Sequence, residues 1–299
     1  MRAVQFSSYG GPEVLGLADV PEPQVGAGQV RIRVQASGVN PYDTKVRAGL
    51  FSRGRPLDAP VIPGLEASGI VDQVGLGVTG TAVGDAVFGF TVGGAAAEYA
   101  LLSAWADEPG GELTAVQAGG LAVVADTATR VVDLLEVGAG YVVLVHGAAG
   151  GVGQAIVQLA ALRGARVVGT ASPANHELLA SLGGEATEYG AGLVERVRAL
   201  VPSGPTLVAD AAGSQLDDLL ALAPRPAAIV TIANYAAAER GVRLTTERGS
   251  ARALARVAGL AALGRFRLNL SHTFGLAEAA AAHRLSESRS AGGKIVLLP

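Results

Sequence analysis

Tyr141–Thr170, YVVLVHGAAGGVGQAIVQLAALRGARVVGT, reads as strand, glycine turn, helix, strand. Tyr141 to Val145 is a short apolar run rich in β-branched residues, the pattern of a strand buried on both faces of a parallel sheet. Gly147, Gly150, Gly151 and Gly153 follow, and their missing Cβ atoms let the backbone turn tightly and approach a ligand closely. Val152, Ile156, Leu159 and Leu162 then recur at helical spacing, with Gly164 as a stop. This order sets a helix N-terminus, with its unpaired N–H groups and positive dipole end, against a loop that exposes more N–H groups, an arrangement that favours a pyrophosphate. Ala148-Ala149-Gly150-Gly151-Val152-Gly153 is the G-x-G-x-x-G fingerprint with alanine at its first position. Lying between a strand and an amphipathic helix, it points to a dinucleotide-binding fold.

The end of the second strand bears on which dinucleotide. An NAD site usually places an acid about 20 residues beyond the glycines, on the ribose 2′-hydroxyl. Thr170, Ala171 and Ser172 occupy that region, with no acid before Glu177. The absence of a repelling carboxylate permits a 2′-phosphate, and Ser172, Asn175 and His176 can donate hydrogen bonds to one; NADP(H) is the expected cofactor. Ser172 equally suits an ordinary helix start, as N-cap before Pro173.

Outward from this unit the chain changes character. Before residue 114, short β-rich runs (Ala3–Phe6, Val30–Ala36, Gly69–Val74, Ala86–Phe90, Ala97–Leu102) alternate with Gly and Pro turns, predicting a mostly antiparallel β domain. Thr114 caps a helix to Leu135, interrupted at Gly119-Gly120. After the central βαβ, strands at Ala186–Tyr189, Thr206–Asp210 and Ala227–Ala233 alternate with helices at Pro173–Leu182, Leu193–Leu200 and Gln215–Ala223, giving at least five parallel strands in a doubly wound sheet. Beyond that sheet come a strand at Val242–Thr245, helices at Ser250–Leu263 and Leu276–Leu285, and strands around Leu268–Phe274 and Lys294–Leu298; this final stretch is expected to rejoin the N-terminal domain. The expected domains are 1–114 with 246–299, and 115–245. The edge after the fifth parallel strand is expected to pair with its copy in a homodimer.

Composition narrows the function. At 299 residues the chain can hold two sizeable cores, and 49% hydrophobic residues without an uncharged apolar run of roughly 18 residues argues against a membrane span and for a cytoplasmic address. A formal charge of −3 and a pI near 5.8 give no electrostatic case for nucleic acid. Cysteine is absent, which removes disulfides, thiol catalysis and thiolate zinc sites, and His146, His176, His272 and His283 lack metal-ligand spacing, so no metal site is expected.

Several motifs, in order over nearly the whole chain, resemble one family: Tyr9-Gly10-Gly11-Pro12-Glu13-Val14-Leu15, Gly38-Val39-Asn40-Pro41-Tyr42-Asp43-Thr44, Pro63-Gly64-Leu65-Glu66-Ala67-Ser68-Gly69, Val83-Gly84-Asp85-Ala86-Val87-Phe88-Gly89, the glycine turn, and Gly292-Gly293-Lys294-Ile295-Val296. The chain is similar to the medium-chain dehydrogenase/reductases of the zinc-free quinone oxidoreductase branch, whose GroES-like β domain accompanies a Rossmann domain. The resemblance implies an α/β fold of those two parts. Zinc-dependent members carry Cys near Gly38 and His near Leu65; neither is present, and the stretch Leu102–Leu113 is too short and lacks the cysteines for a structural-zinc lobe.

By the same resemblance Asn40 lies beside the nicotinamide ribose and the substrate, Thr127 contacts the cofactor, and Gly150, Gly151, Val152 and Gly153 hold the pyrophosphate. Ser172 and Tyr189 face the 2′-phosphate, and Ile232, Ala233 and Asn234 line the nicotinamide pocket. Asn40 also suits a turn before Pro41, and Thr127 a packed helix position. Tyr42 can donate a proton or cap an apolar pocket; the tyrosine that the family often carries three places later is Lys45 here. Either can be the proton donor, or water can serve. Asp43, Glu66 and Asp85 read as turn and strand-end residues. The expected activity is NADPH-dependent, metal-independent hydride transfer to a quinone or an α,β-unsaturated carbonyl compound. The alternatives are a dedicated enone reductase of a biosynthetic pathway and an NADPH-binding protein without turnover.

Overall fold

The computed structural model describes residues 1–109, 113–247 and 249–299, so part of the Leu102–Leu113 stretch lies outside the described residues. The chain begins with β1 (Arg2–Gln5), β2 (Gly16–Asp19), β3 (Val30–Val39), α1 (Pro41–Arg47), β4 (Glu66–Val74), β5 (Ala86–Val92), β6 (Tyr99–Asp107) and α2 (Ala115–Ala118). It continues with α3 (Ala122–Leu134), β7 (Val142–His146), α4 (Gly151–Leu162), β8 (Arg166–Thr170), α5 (His176–Ser181), β9 (Glu185–Thr187), α6 (Leu193–Leu200), β10 (Leu207–Asp210), α7 (Leu216–Leu222), β11 (Ile229–Thr231) and β12 (Arg243–Leu244). α8 (Ala251–Ala262), β13 (Leu270–Gly275), α9 (Ala279–Ser288) and β14 (Lys294–Leu298) complete it. Two compact units result, Met1–Val123 with Gly249–Pro299, and Val124–Arg248.

In the first unit the sheet order is β13-β14-β3-β4-β5-β6, and β3 also pairs with β6. The long β3 makes this possible: Val30–Arg33 pair with β6 while Ser37–Val39 pair with β14. β3, β4, β5 and β6 thus close on themselves around Val30, Ile32, Val71, Val87 and Leu102, all at most 1% exposed. All pairings are antiparallel except β13 with β14, so the C-terminal strands do join the N-terminal sheet. Residues 115–123 belong to this unit rather than beyond a boundary at 114: the Gln117 amide donates to the Leu268 carbonyl at 3.0 Å, and a Cβ at Gly119 would overlap Ala36 of β3.

The second unit is a parallel sheet in the order β12-β11-β10-β7-β8-β9. Its core, Leu144, Val168, Leu193, Val197, Val208, Leu219 and Ile229, joins the buried strands to the apolar faces of α6 and α7. The run Val242–Thr245, expected as a strand following the first five and within 115–245, supplies the sixth strand of this sheet, with Val230 opposite Arg243 and Thr231 opposite Leu244. That corrects the expected free edge: β11 is the fifth strand and is covered by β12. A run this short carries too little β pattern to assign its pairing without the tertiary contacts. The strand order reverses between β7 and β10, so the carboxyl ends of those two strands flank the switch point at which open α/β sheets bind ligands.

Candidate functional site

In the second unit the glycine turn begins at Gly147, whose φ of +80° lies in the left-handed region. Its N–H donates to Thr170 Oγ1 and the Ala148 N–H to the Thr170 carbonyl, both at 3.0 Å, so the turn is tied to the end of β8. Gly150 is the N-cap of α4, and no side chain caps this helix start. The first-turn N–H groups of Gly151, Val152 and Gly153 are therefore open to an anionic ligand. A Cβ at Gly153 would overlap the Gly147 carbonyl oxygen, a backbone atom, so only glycine lets α4 pack this close to the turn. An uncapped helix start and a cradle that a Cβ would fill fit a dinucleotide diphosphate.

Three further parallel strands, β8, β9 and β11, end at the same edge of the sheet as β7. Ser172 follows β8 as the N-cap of a single 3₁₀ turn, Pro173–Asn175, and its Oγ accepts from the Asn175 amide at 3.0 Å. The His176 ring places Nε2 3.4 Å from the Ala171 carbonyl. Tyr189 follows β9 and is 55% exposed. Ile232, Ala233 and Asn234 follow β11, where the Ala233 and Asn234 N–H groups donate to Thr231 Oγ1 at 3.3 and 3.1 Å. Gly150–Gly153, Ser172, His176, Tyr189 and Ile232–Asn234 thus all follow carboxyl ends of parallel strands. Thr127 sits apart from them in sequence and element, buried on α3.

In the first unit Asn40 is the N-cap of α1, with Pro41 at the first helical position, as its sequence suggests. The Asn40 N–H donates to Asp43 Oδ2 at 2.8 Å, so Asp43 is the turn residue expected. The Asn40 side chain turns inward. Lys294 Nζ donates to Asn40 Oδ1 and to Glu66 Oε1, each at 2.5 Å, and Asn40 Nδ2 donates to Glu66 Oε1 at 2.8 Å. Glu66 Oε2 accepts the Val123 N–H at 2.7 Å. Glu66, the first residue of β4, is the strand-end residue expected, and at 0% exposed it also ties Asn40, Lys294 and Val123 together; Asp85, just before β5, accepts the Ala82 N–H at 2.7 Å. Burial pushes the Asp43 carboxyl up to about 7. Tyr42 stacks on Phe51 with ring centroids 5.3 Å apart. Lys45, also on α1, has its pKa lowered by burial and by Arg289. Sequence reasoning passed over Lys294 as a site residue. The available signal was the pair of opposite charges, Glu66 and Lys294, opening two strands that are otherwise apolar at their start.

The pattern described as "Alcohol dehydrogenase GroES-like domain" matches residues 26–122, and that described as "Zinc-binding dehydrogenase" matches residues 81–297. Rat quinone oxidoreductase is 44% identical over 175 residues, covering 57% of this chain and 53% of its own. The chain spans about half the length of the curated relatives it matches. Among solved structures, an NAD-dependent alcohol dehydrogenase superposes with a TM-score of 0.88 at 30% identity, covering 100% of both chains. A mycobacterial protein solved as a complex with NADPH superposes with a TM-score of 0.84 at 28% identity, again covering 100% of both chains. No helix among the described residues is long and apolar enough to cross a membrane.

The second pattern's description implies zinc, and the residues present do not fit it. There is no cysteine in the chain, and among the described residues no three His, Asp or Glu side chains group to hold a metal ion. The Glu66 carboxylate, the one acid in its motif, is already bound by an ammonium, an amide and a backbone N–H. With a GroES-like unit, a doubly wound dinucleotide-type unit and a pattern match over most of its length, the chain belongs to the medium-chain dehydrogenase/reductase family.

Proposed function

We propose that this chain is an NADPH-dependent oxidoreductase that passes hydride to a quinone or to the β-carbon of an α,β-unsaturated carbonyl compound without a metal. The observation that carries this reading is the carboxylate-free end of β8, Thr170-Ala171-Ser172, beside the uncapped N-terminus of α4. The helix start and turn N–H groups hold the diphosphate. Ser172, whose oxygen already accepts from Asn175, keeps its hydroxyl proton for a 2′-phosphate, and Thr170-Ala171-Ser172 carries no acid to repel that group. A bound nicotinamide supplies the hydride. Asn40, fixed by Lys294 and Glu66, has one amide hydrogen beyond its bond to Glu66 for a ribose or substrate oxygen. Water supplies the proton that completes the reduction, while Tyr42 serves as an apolar wall with Phe51. Tyr42→Phe, which keeps the stack, is accordingly expected to retain kcat within about threefold; a loss of about a hundredfold or more would assign Tyr42 the proton. The proposed working form is a cytoplasmic homodimer joined through the β12 edge, to be abandoned if light scattering gives a monomer at micromolar concentration.

The test is NADPH oxidation against a panel of quinones and enones, with NADH in parallel. Turnover with NADPH and a ranking of acceptors supports the reading. A preference for NADH refutes the role given to the end of β8, and NADPH binding without oxidation of any acceptor favours the non-catalytic alternative.

A further inference from the structure

Beneath the glycine turn lies a buried polar chain that none of the roles above uses. Thr170, at the end of β8, is 1% exposed, and its Oγ1 accepts the Gly147 N–H at 3.0 Å. His146, at the end of β7 and 2% exposed, places Nδ1 2.9 Å from that same oxygen. Its other nitrogen, Nε2, lies 3.0 Å from the Oγ of Ser214, an exposed residue just beyond β10. The Thr170 hydroxyl proton has one acceptor among the described residues, His146 Nδ1. If Nδ1 carried a proton, that buried hydroxyl proton would be left without a partner, which burial disfavours. The ring is therefore neutral with its proton on Nε2, which donates to Ser214. Burial also lowers the His146 pKa, against the pull of Asp210 and Asp218, the charged groups that face it.

Ser214 then accepts from the histidine and keeps its own proton to give. A Cβ at Gly147 would touch Ala212, so the loop after β10 lies against the glycine turn, at the point where the strand order reverses. We infer that the Thr170–His146–Ser214 chain is a fixed-direction relay that aims the Ser214 hydroxyl, as a hydrogen-bond donor, at an oxygen of the ribose–diphosphate backbone of the bound dinucleotide. Ser214 is the binding group and His146 the positioning residue. This inference rests on the dinucleotide reading proposed above.

Its test is a fluorescence titration with NADPH together with ¹⁵N spectroscopy of histidine-labelled protein, His146→Gln assigning the resonance. Ser214→Ala is expected to raise the NADPH Kd about tenfold, one hydrogen bond to a charged or polar oxygen. Thr170→Val, which removes the proton that fixes the tautomer, is expected to raise it about threefold in the parent and not at all in the Ser214→Ala background. A purely structural role of Thr170 would persist in both. The His146 resonances are expected to show a neutral ring protonated at Nε2 without any cofactor present. A ring protonated at Nδ1 overturns the relay. A Ser214→Ala Kd within twofold of a measurable parent value, or additive losses in the double variant, overturns the donor assignment. Failure of the parent to bind NADPH or NADH overturns the dinucleotide reading itself, and the donor role with it.

Discussion

Lys294→Met tests whether the buried ion pair organises the first unit. The Lys294 side chain is 5% exposed and the Glu66 side chain 0%, and Nζ sits 2.5 Å from both Glu66 Oε1 and Asn40 Oδ1. Removing one partner of a buried pair costs about 3–5 kcal/mol, because the other charge stays desolvated and unpaired. Glu66 keeps two donors, Asn40 Nδ2 and the Val123 N–H, which places the expected loss near the lower end, about 3 kcal/mol. The chain has a single tryptophan, Trp105 on β6, whose Nε1 donates to Thr81 Oγ1 at 3.0 Å. Its fluorescence in urea therefore reports the first unit. With an m-value near the top of the usual ~1–3 kcal/mol/M, the midpoint should fall by about 1 M. Glu66→Gln with Lys294→Met removes both charges and should recover at least half of the loss. A midpoint change below about 0.3 M, or a double variant no more stable than the single, would refute the reasoning.

Three further outcomes follow from the same geometry. Gly153→Ala should gain about 1 kcal/mol on helix propensity alone, yet its Cβ meets the Gly147 carbonyl; we expect a net loss of stability and an NADPH Kd raised at least ~tenfold, and a stabilised variant that binds normally would contradict the packing argument. Ser172→Asp puts a carboxylate at the end of β8 and should shift the NADPH/NADH preference toward NADH by at least ~tenfold in kcat/KM; an unchanged ratio would remove Ser172 from the 2′-phosphate site. Asp43, raised from 3.8 to about 7, binds its proton more tightly when folded, so its stabilising contribution is full below about 3.8 and lost as pH rises to about 7. Buried His283, lowered from 6.5 to about 4, runs the other way: its contribution is full above 6.5 and lost as pH falls toward 4. The difference between Asp43→Asn and the parent isolates Asp43. In Trp105 fluorescence the Asn variant should gain on the parent as pH rises through that window, and a constant difference would show that Asp43 titrates as it does in water.

Much of this was legible because it is local. The strand, turn and helix from Val142 to Leu162 follow hydrophobic period and glycine placement within a few residues, and the break between α2 and α3 falls at the Gly119-Gly120 that marks it. The cap of α1 by Asn40, Pro41 and Asp43 is likewise written in consecutive residues. The edge of the parallel sheet was not: β12 is two residues long, and its pairing with β11 is set by contacts that no short-range pattern encodes.

The candidate sites divide in the same way. Sequence alone determined the two-part α/β fold, the glycine turn and the missing carboxylate after β8, since each depends on spacing along the chain. Only the tertiary structure decided that Lys294 meets Asn40 across 254 residues and Glu66 across 228, and that His146 links Thr170 to Ser214. Those contacts depend on which strands lie side by side. Burial then turns ordinary polar residues into partners that must satisfy one another, because water is excluded from the places where they meet.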